Sequence, residues 1–227
     1  MKAVILIHSP VTTPTVWEPV GAALRNRDVR VLVPDLNGDG NADEPLWQQH
    51  IRAASVSIAG LAAGTQFILV GHSGAGPLLP AIREFVGRPA AGYIFVDAGL
   101  PENGGSQIDG PFGPQLRAIY SSGGRYPNWS DEDLREAVPD EGMRRWLLQQ
   151  VRPQPLRFWR EVIPVQDWWP DAPCAYLRFS LNQAYEAPAS EAQRLGWAYA
   201  ELPGDHFHML VEPNAVADRQ IGLSQHW

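Results

Sequence analysis

The chain has 227 residues, 44% of them hydrophobic and 19% charged. At roughly 150 residues per domain that length is one to two domains, and the mix buries a real core, which excludes wholesale disorder. Net charge is −7, Lys2 is the only lysine, and no basic cluster exceeds Arg144-Arg145, so a groove tracking phosphates, and with it a nucleic-acid partner, is not expected. The single cysteine, Cys174, excludes an intrachain disulfide framework and a cysteine zinc site, and reads as a buried small hydrophobe. No apolar run approaches the ~20 residues that span a bilayer, and Ala3–Ile7 is too short for a signal-peptide core. The expectation is a soluble cytoplasmic protein, monomer or homodimer, with a small-molecule substrate and no membrane partner.

Six short apolar runs rich in β-branched residues follow in chain order: Ala3–His8, Val29–Pro34, Gln66–Gly71, Gly92–Asp97, Cys174–Ser180 and Ala198–Leu202. Several are near-continuously apolar, as strands covered on both faces are. Helix-length segments lie between most of them. Thr13-Pro14 opens Thr15–Leu24; Trp47, Ile51, Ile58 and Leu61 recur at helical spacing; Pro77–Val86 ends before Gly87. Ser190–Leu195 and Pro213–Ile221 complete the set. Alternating strand and helix predicts an α/β fold, a mostly parallel twisted sheet with helices on both faces. The alternation breaks between the fourth and fifth runs. Residues 101–170 contain no good strand, Gly and Pro are dense at Pro101–Pro114 and Ser121–Pro127, and short helices are expected from Ser130, over Glu141–Val151 and over Pro155–Val162. So long a connection reads as a helical lid inserted into a single core domain, residues 1–100 and 171–227.

The third run continues as Phe67-Ile68-Leu69-Val70, then Gly71-His72-Ser73-Gly74-Ala75-Gly76, then a helix. A strand, a serine among small residues and a helix make a nucleophile elbow, whose tight turn projects the hydroxyl above the sheet. A serine needs a base. Leu202-Pro203-Gly204-Asp205-His206-Phe207-His208 follows the last run, and order along the chain selects His206 over His208. Four histidines, His8, His72, His206 and His208, lack any metal-ligand spacing, so neither metal nor organic cofactor is expected.

These residues, with Leu6-Ile7-His8, Trp17-Glu18-Pro19-Val20, Val33-Pro34-Asp35-Leu36 and Met209, resemble the α/β-hydrolase superfamily, most closely its small esterase and hydroxynitrile-lyase-like subgroup. The resemblance covers nearly the whole chain except the lid. It implies an eight-stranded sheet reduced at its N-terminal edge, with Ser73 and His206 as nucleophile and base. It also implies a carboxylate where Asn182 stands. Asp97, at a strand end, is the preferred substitute, and Glu186 the alternative. The oxyanion donors implied are the N–H of Gly74 and one from the loop after the first strand. That loop reads His8-Ser9-Pro10, and proline has no N–H; Ser9 is the candidate replacement. His8, Thr12, His72, Trp129 and Trp168 are read as substrate contacts. Nine tryptophans, five of them between 129 and 169, suggest an apolar pocket or packing of the lid. The function expected is hydrolysis of an ester, lactone or thioester of a mid-sized, mostly apolar molecule through an acyl-enzyme. The alternatives are a lyase on the same Ser-His site and a small-molecule receptor with a residual triad.

Overall fold

The computed structural model describes residues 2–37, 43–110 and 112–227. In chain order these residues form β1 (Lys2–Ile7), α1 (Glu18–Arg25), β2 (Arg30–Leu32), α2 (Leu46–Ala59), β3 (Gln66–Ser73), α3 (Leu79–Val86), β4 (Gly92–Ala98), α4 (Gly113–Ser121), α5 (Glu141–Gln149), α6 (Leu156–Arg160), β5 (Cys174–Phe179), α7 (Glu186–Arg194), β6 (Ala198–Leu202), α8 (His208–Val211) and α9 (Pro213–Ser224). Short 3₁₀ turns precede α1, α3 and α7. The strands make one sheet in the order β2-β1-β3-β4-β5-β6, and every pairing is parallel.

The reversal of strand order beside β1 puts helices on both faces. One apolar layer packs Trp17, Leu24, Val70, Val96 and Met209; the other packs Ile7, Ile58, Phe67, Leu79 and Phe95. Successive residues of the same strand, such as Leu69 and Val70 on β3, enter opposite layers, which is why such strands read as unbroken apolar runs. All six expected strands are present, and β6 has the expected bounds.

Among the described residues, the segment between β4 and β5 carries three helices, and its one β contact is an isolated bridge between Tyr126 and Gln154. One expectation is corrected here. Residues 131–137 form turns rather than a helix, although the Ser130 hydroxyl and N–H both donate to Asp133 Oδ2: the cap forms, but the helix does not propagate past it. Helix α4, in contrast, forms between two stretches dense in glycine and proline, where no helix was named. Its Leu116 is buried with Val11, Phe158 and Trp159, so tertiary packing overrides the local sequence.

Candidate active site

Strand β3 ends at Ser73, whose φ is +58°, a conformation costly for any residue with a Cβ. The tightness of the turn is visible at Gly76. A Cβ there would stand 2.0 Å from the Gly99 carbonyl oxygen, so the helix after the turn enters only with glycine at that position.

Beside Ser73, β4 carries an irregularity. His72 pairs with Val96, but Ser73 pairs with Ala98, leaving Asp97 as the extra residue of a bulge, with φ +43°. Bulges re-aim side chains, and they recur beside active sites. The Tyr176 hydroxyl stabilises this one by accepting from the Ala98 N–H at 3.1 Å and donating to the Ala98 carbonyl at 2.9 Å. Asp97 is fully buried. Its Oδ1 accepts from the Phe179 N–H at 3.3 Å, and its Oδ2 from the Asn182 amide at 2.6 Å.

His206 lies in the loop between β6 and α8. Its Nδ1 is 2.7 Å from Asp97 Oδ2 and its Nε2 is 3.0 Å from Ser73 Oγ. With the Nδ1–H donating to the carboxylate, the Nε2 lone pair faces the serine hydroxyl. Its backbone is held on both sides: the N–H donates to Asp205 Oδ1 at 2.6 Å, and the carbonyl accepts from His72 Nε2 at 2.8 Å. The close packing of this loop requires Gly204, where a Cβ would meet the His208 ring at 2.1 Å.

The serine opens onto a cavity of about 250 Å³ lined by Leu116, Tyr126, Trp129, Leu134, Phe158 and Trp159 on one side, and by Ser9, Gly74 and His206 on the other. A broader groove of about 1140 Å³ meets it at Ser73, Gly74 and Tyr185. Such an arrangement can hold an apolar molecule with one polar reacting centre.

A profile of the Alpha/beta hydrolase family matches residues 4–219. The chain belongs to this family. A carbendazim-hydrolysing esterase of Nocardioides sp. (strain SG-4G) is 23% identical over 256 residues, covering 98% of this chain and 100% of that protein. An extracellular α/β-hydrolase of a Paenibacillus species, described as structurally and functionally homologous to tobacco salicylic acid binding protein 2, shares the fold with a TM-score of 0.81. It is 21% identical and the match covers 98% of this chain and 99% of that one. A methylesterase from Arabidopsis has a TM-score of 0.75 at 14% identity, with 100% of both chains covered.

In this α/β-hydrolase, Ser73, His206 and Asp97 come together, while Glu186 stands exposed at the start of α7 and faces the groove. Asn182, where relatives were expected to carry an acid, caps the turn before α7 through Oδ1 and binds Asp97 through Nδ2. His208 begins α8, packs on Phe179 and lies 3.8 Å from Glu212 rather than near the serine. Ser9 and Gly74 are adjacent: a Cβ on Gly74 would lie 3.3 Å from Ser9 Oγ. The Gly74 N–H takes no partner among the described residues.

Of the five expected substrate contacts, only Trp129 lines the cavity. The other four are corrected. His8 is buried; its Nδ1 is bonded to the Ser9 carbonyl and its Nε2 accepts from the Leu36 N–H, so it fastens the β1 loop. Thr12 donates its N–H and hydroxyl to that same Ser9 carbonyl. His72 is fully buried and pins the His206 backbone; burial, then the neighbouring His206, push its pKa well below the usual 6.5. Trp168 lies under the Arg83 guanidinium, 4.3 Å from its ring centre, and Arg83 pairs with Asp171 at 2.7 Å. Trp146 packs against the core layer that holds Trp17.

Sequence reasoning missed Tyr185. Its hydroxyl is 3.0 Å from Ser73 Oγ, and its ring stacks on His206 with centroids 5.1 Å apart and planes at 12°. The available signal was its place three residues after Asn182, on the loop already singled out for an acid. No group of three or more His, Cys, Asp or Glu side chains among the described residues is arranged to hold a metal, and none of their helices is long and apolar enough to cross a membrane.

Proposed function

We propose that this hydrolase cleaves a carboxylic ester, lactone or thioester of a mid-sized, mostly apolar small molecule through an acyl-enzyme on Ser73. The observation that carries the reading is the chain of contacts Asp97 Oδ2–His206 Nδ1 at 2.7 Å and His206 Nε2–Ser73 Oγ at 3.0 Å, opening onto a cavity with aromatic walls.

In this reading His206 takes the Ser73 proton as Oγ attacks the acyl carbon. Asp97 holds the imidazole in the Nδ1–H tautomer and offsets its developing charge. The Gly74 N–H and the Ser9 hydroxyl receive the oxyanion. His206 then passes its proton to the leaving oxygen or sulfur, a water activated by the same base attacks the acyl carbon, and the acid departs. The neutral state of His72 suits this cycle, because a second cation against His206 would oppose its protonation. The segment 101–170 acts as a lid whose Trp129, Phe158 and Trp159 select an apolar acyl compound. The esterase name of the Nocardioides relative supports the reaction class.

Pro10 favours a second reading, a lyase that uses the same serine and histidine as acid and base without acyl transfer. Losing one oxyanion donor costs roughly 10²–10³ in rate, a demand that proton-transfer chemistry avoids. Turnover in ¹⁸O-labelled water separates the two. Hydrolysis puts one solvent oxygen into the acid product; products without label contradict the acyl-enzyme.

A further inference from the structure

Ser73 Oγ is touched by two groups, His206 Nε2 and the Tyr185 hydroxyl, each at 3.0 Å. Tyr185 reaches it along the imidazole, with its ring nearly parallel to that of His206. The oxyanion donors come from other parts of the chain: Ser9 from the loop after β1 and Gly74 from the turn after β3. Tyr185 comes from the loop after β5. Burial first, and then the Asp97 charge, hold its phenol above the ordinary 10, so it remains a donor across the working pH range. Its position is tied to the acid. Asn182 accepts from the Ala184 N–H at 3.2 Å through one side-chain atom and donates to Asp97 at 2.6 Å through the other.

We infer that Tyr185 is a further catalytic residue, whose hydroxyl donates a hydrogen bond to the leaving-group oxygen as that oxygen separates from the acyl carbon. The inference rests on the acyl-enzyme reading above. In the resting enzyme Ser73 donates to His206 and Tyr185 donates to Ser73 Oγ. During acylation the Oγ–carbon bond forms, the serine proton moves to Nε2, and the carbon–oxygen bond to the leaving group breaks. The proton on Nε2 goes to the departing oxygen. Tyr185 keeps its own proton and stabilises the negative charge that has built up there before that transfer is complete. A donor in this position matters most for poor leaving groups. It gives the enzyme a preference for esters of ordinary alcohols, whose alkoxides carry the most charge at the point of cleavage.

The test is a leaving-group series. Acetate esters running from p-nitrophenyl through phenyl and trifluoroethyl to ethyl are turned over by wild type, Tyr185→Phe and Tyr185→Leu, with thermal midpoints measured beside the rates. The expected result is a loss in kcat/KM of about 10- to 100-fold on the ethyl ester that shrinks to below about threefold on p-nitrophenyl acetate. Both variants should show the same steepened dependence on leaving-group pKa, because each removes the hydroxyl and keeps an apolar body. Equal losses across the series in a folded variant, or no loss, overturn the inference. A wild type that releases unlabelled acid in ¹⁸O water overturns the acyl-enzyme reading instead, so the two failures are distinct.

Discussion

At the scale of single residues, the acid position is where the chain departs most from what its relatives led one to expect. Asn182 supplies an amide where a carboxylate was implied, and Asp97 Oδ2 occupies the place beside His206 Nδ1. Asp97 and Glu186 are both carboxylates near the right strands in sequence, yet they differ in setting. Asp97 is fully buried and accepts from three donors; Glu186 is exposed. Asp97→Asn is expected to lower kcat roughly 10²–10⁴-fold, since an amide no longer selects the tautomer, whereas Glu186→Gln leaves it within about twofold. Steady-state kinetics on one activated ester checks both, and the reverse ranking would reassign the acid. Serine and histidine were legible because each sits in a short motif with a mechanism. Tyr185 was not, because one tyrosine on a loop has no signature until folding brings it against the serine.

At the scale of elements, the bulge in β4 decides how the site is aimed. A regular β4 would alternate its side chains strictly between the two faces. The extra residue lets Asp97 turn toward His206, and it sends Val96 and Ala98, which regular alternation would put on one face, into opposite layers. Tyr176 makes this possible by serving both backbone groups of Ala98. Tyr176→Phe leaves a buried N–H and a buried carbonyl without that partner. It is expected to destabilise the fold by about 1–3 kcal/mol, read as a lower urea midpoint with an unchanged slope, and to slow turnover through Asp97. An unchanged midpoint would mean that the bulge does not depend on the hydroxyl. Strands β1 and β3 could be read from sequence because burial on both faces writes itself as a near-unbroken run of Val, Ile and Leu. The bulge could not, because β-branched composition says nothing about register. Helix α4 escaped for a related reason: its stability comes from burying Leu116, a contact that local propensity does not encode.

At the scale of the whole molecule, the segment between β4 and β5 is stitched to the loop that carries Ser9. The Gln154 amide donates to the Pro10 carbonyl at 2.6 Å, the Arg152 N–H to the Val11 carbonyl at 2.8 Å, and Thr13 to Gln150 Oε1 at 2.8 Å. Sequence reading marked this segment as helical and aromatic and chose Trp129 and Trp168 from it as substrate contacts; Trp129 lines the cavity together with Trp159, while Trp168 lies under Arg83, because which rings face inward depends on how the short helices pack. The fold also carries three histidines, His50, His72 and His208, whose pKa values burial pushes below the ordinary 6.5. An unfolded chain protonates them near 6.5 and the native state resists, so their contribution to stability is complete above that pH and is lost as pH falls below it. Urea midpoints should therefore drop between pH 7 and pH 5, a window above the titration of most carboxylates; a flat profile there contradicts buried neutral histidines. The account as a whole stands on Ser73 being a nucleophile driven by His206. Incubation with a fluorophosphonate, followed by mass spectrometry of the intact protein and its peptides, tests this most directly. The account predicts one adduct, on Ser73, with labelling slowed at least about 100-fold in His206→Ala; a folded protein that takes no label, or takes it at another residue, would contradict it.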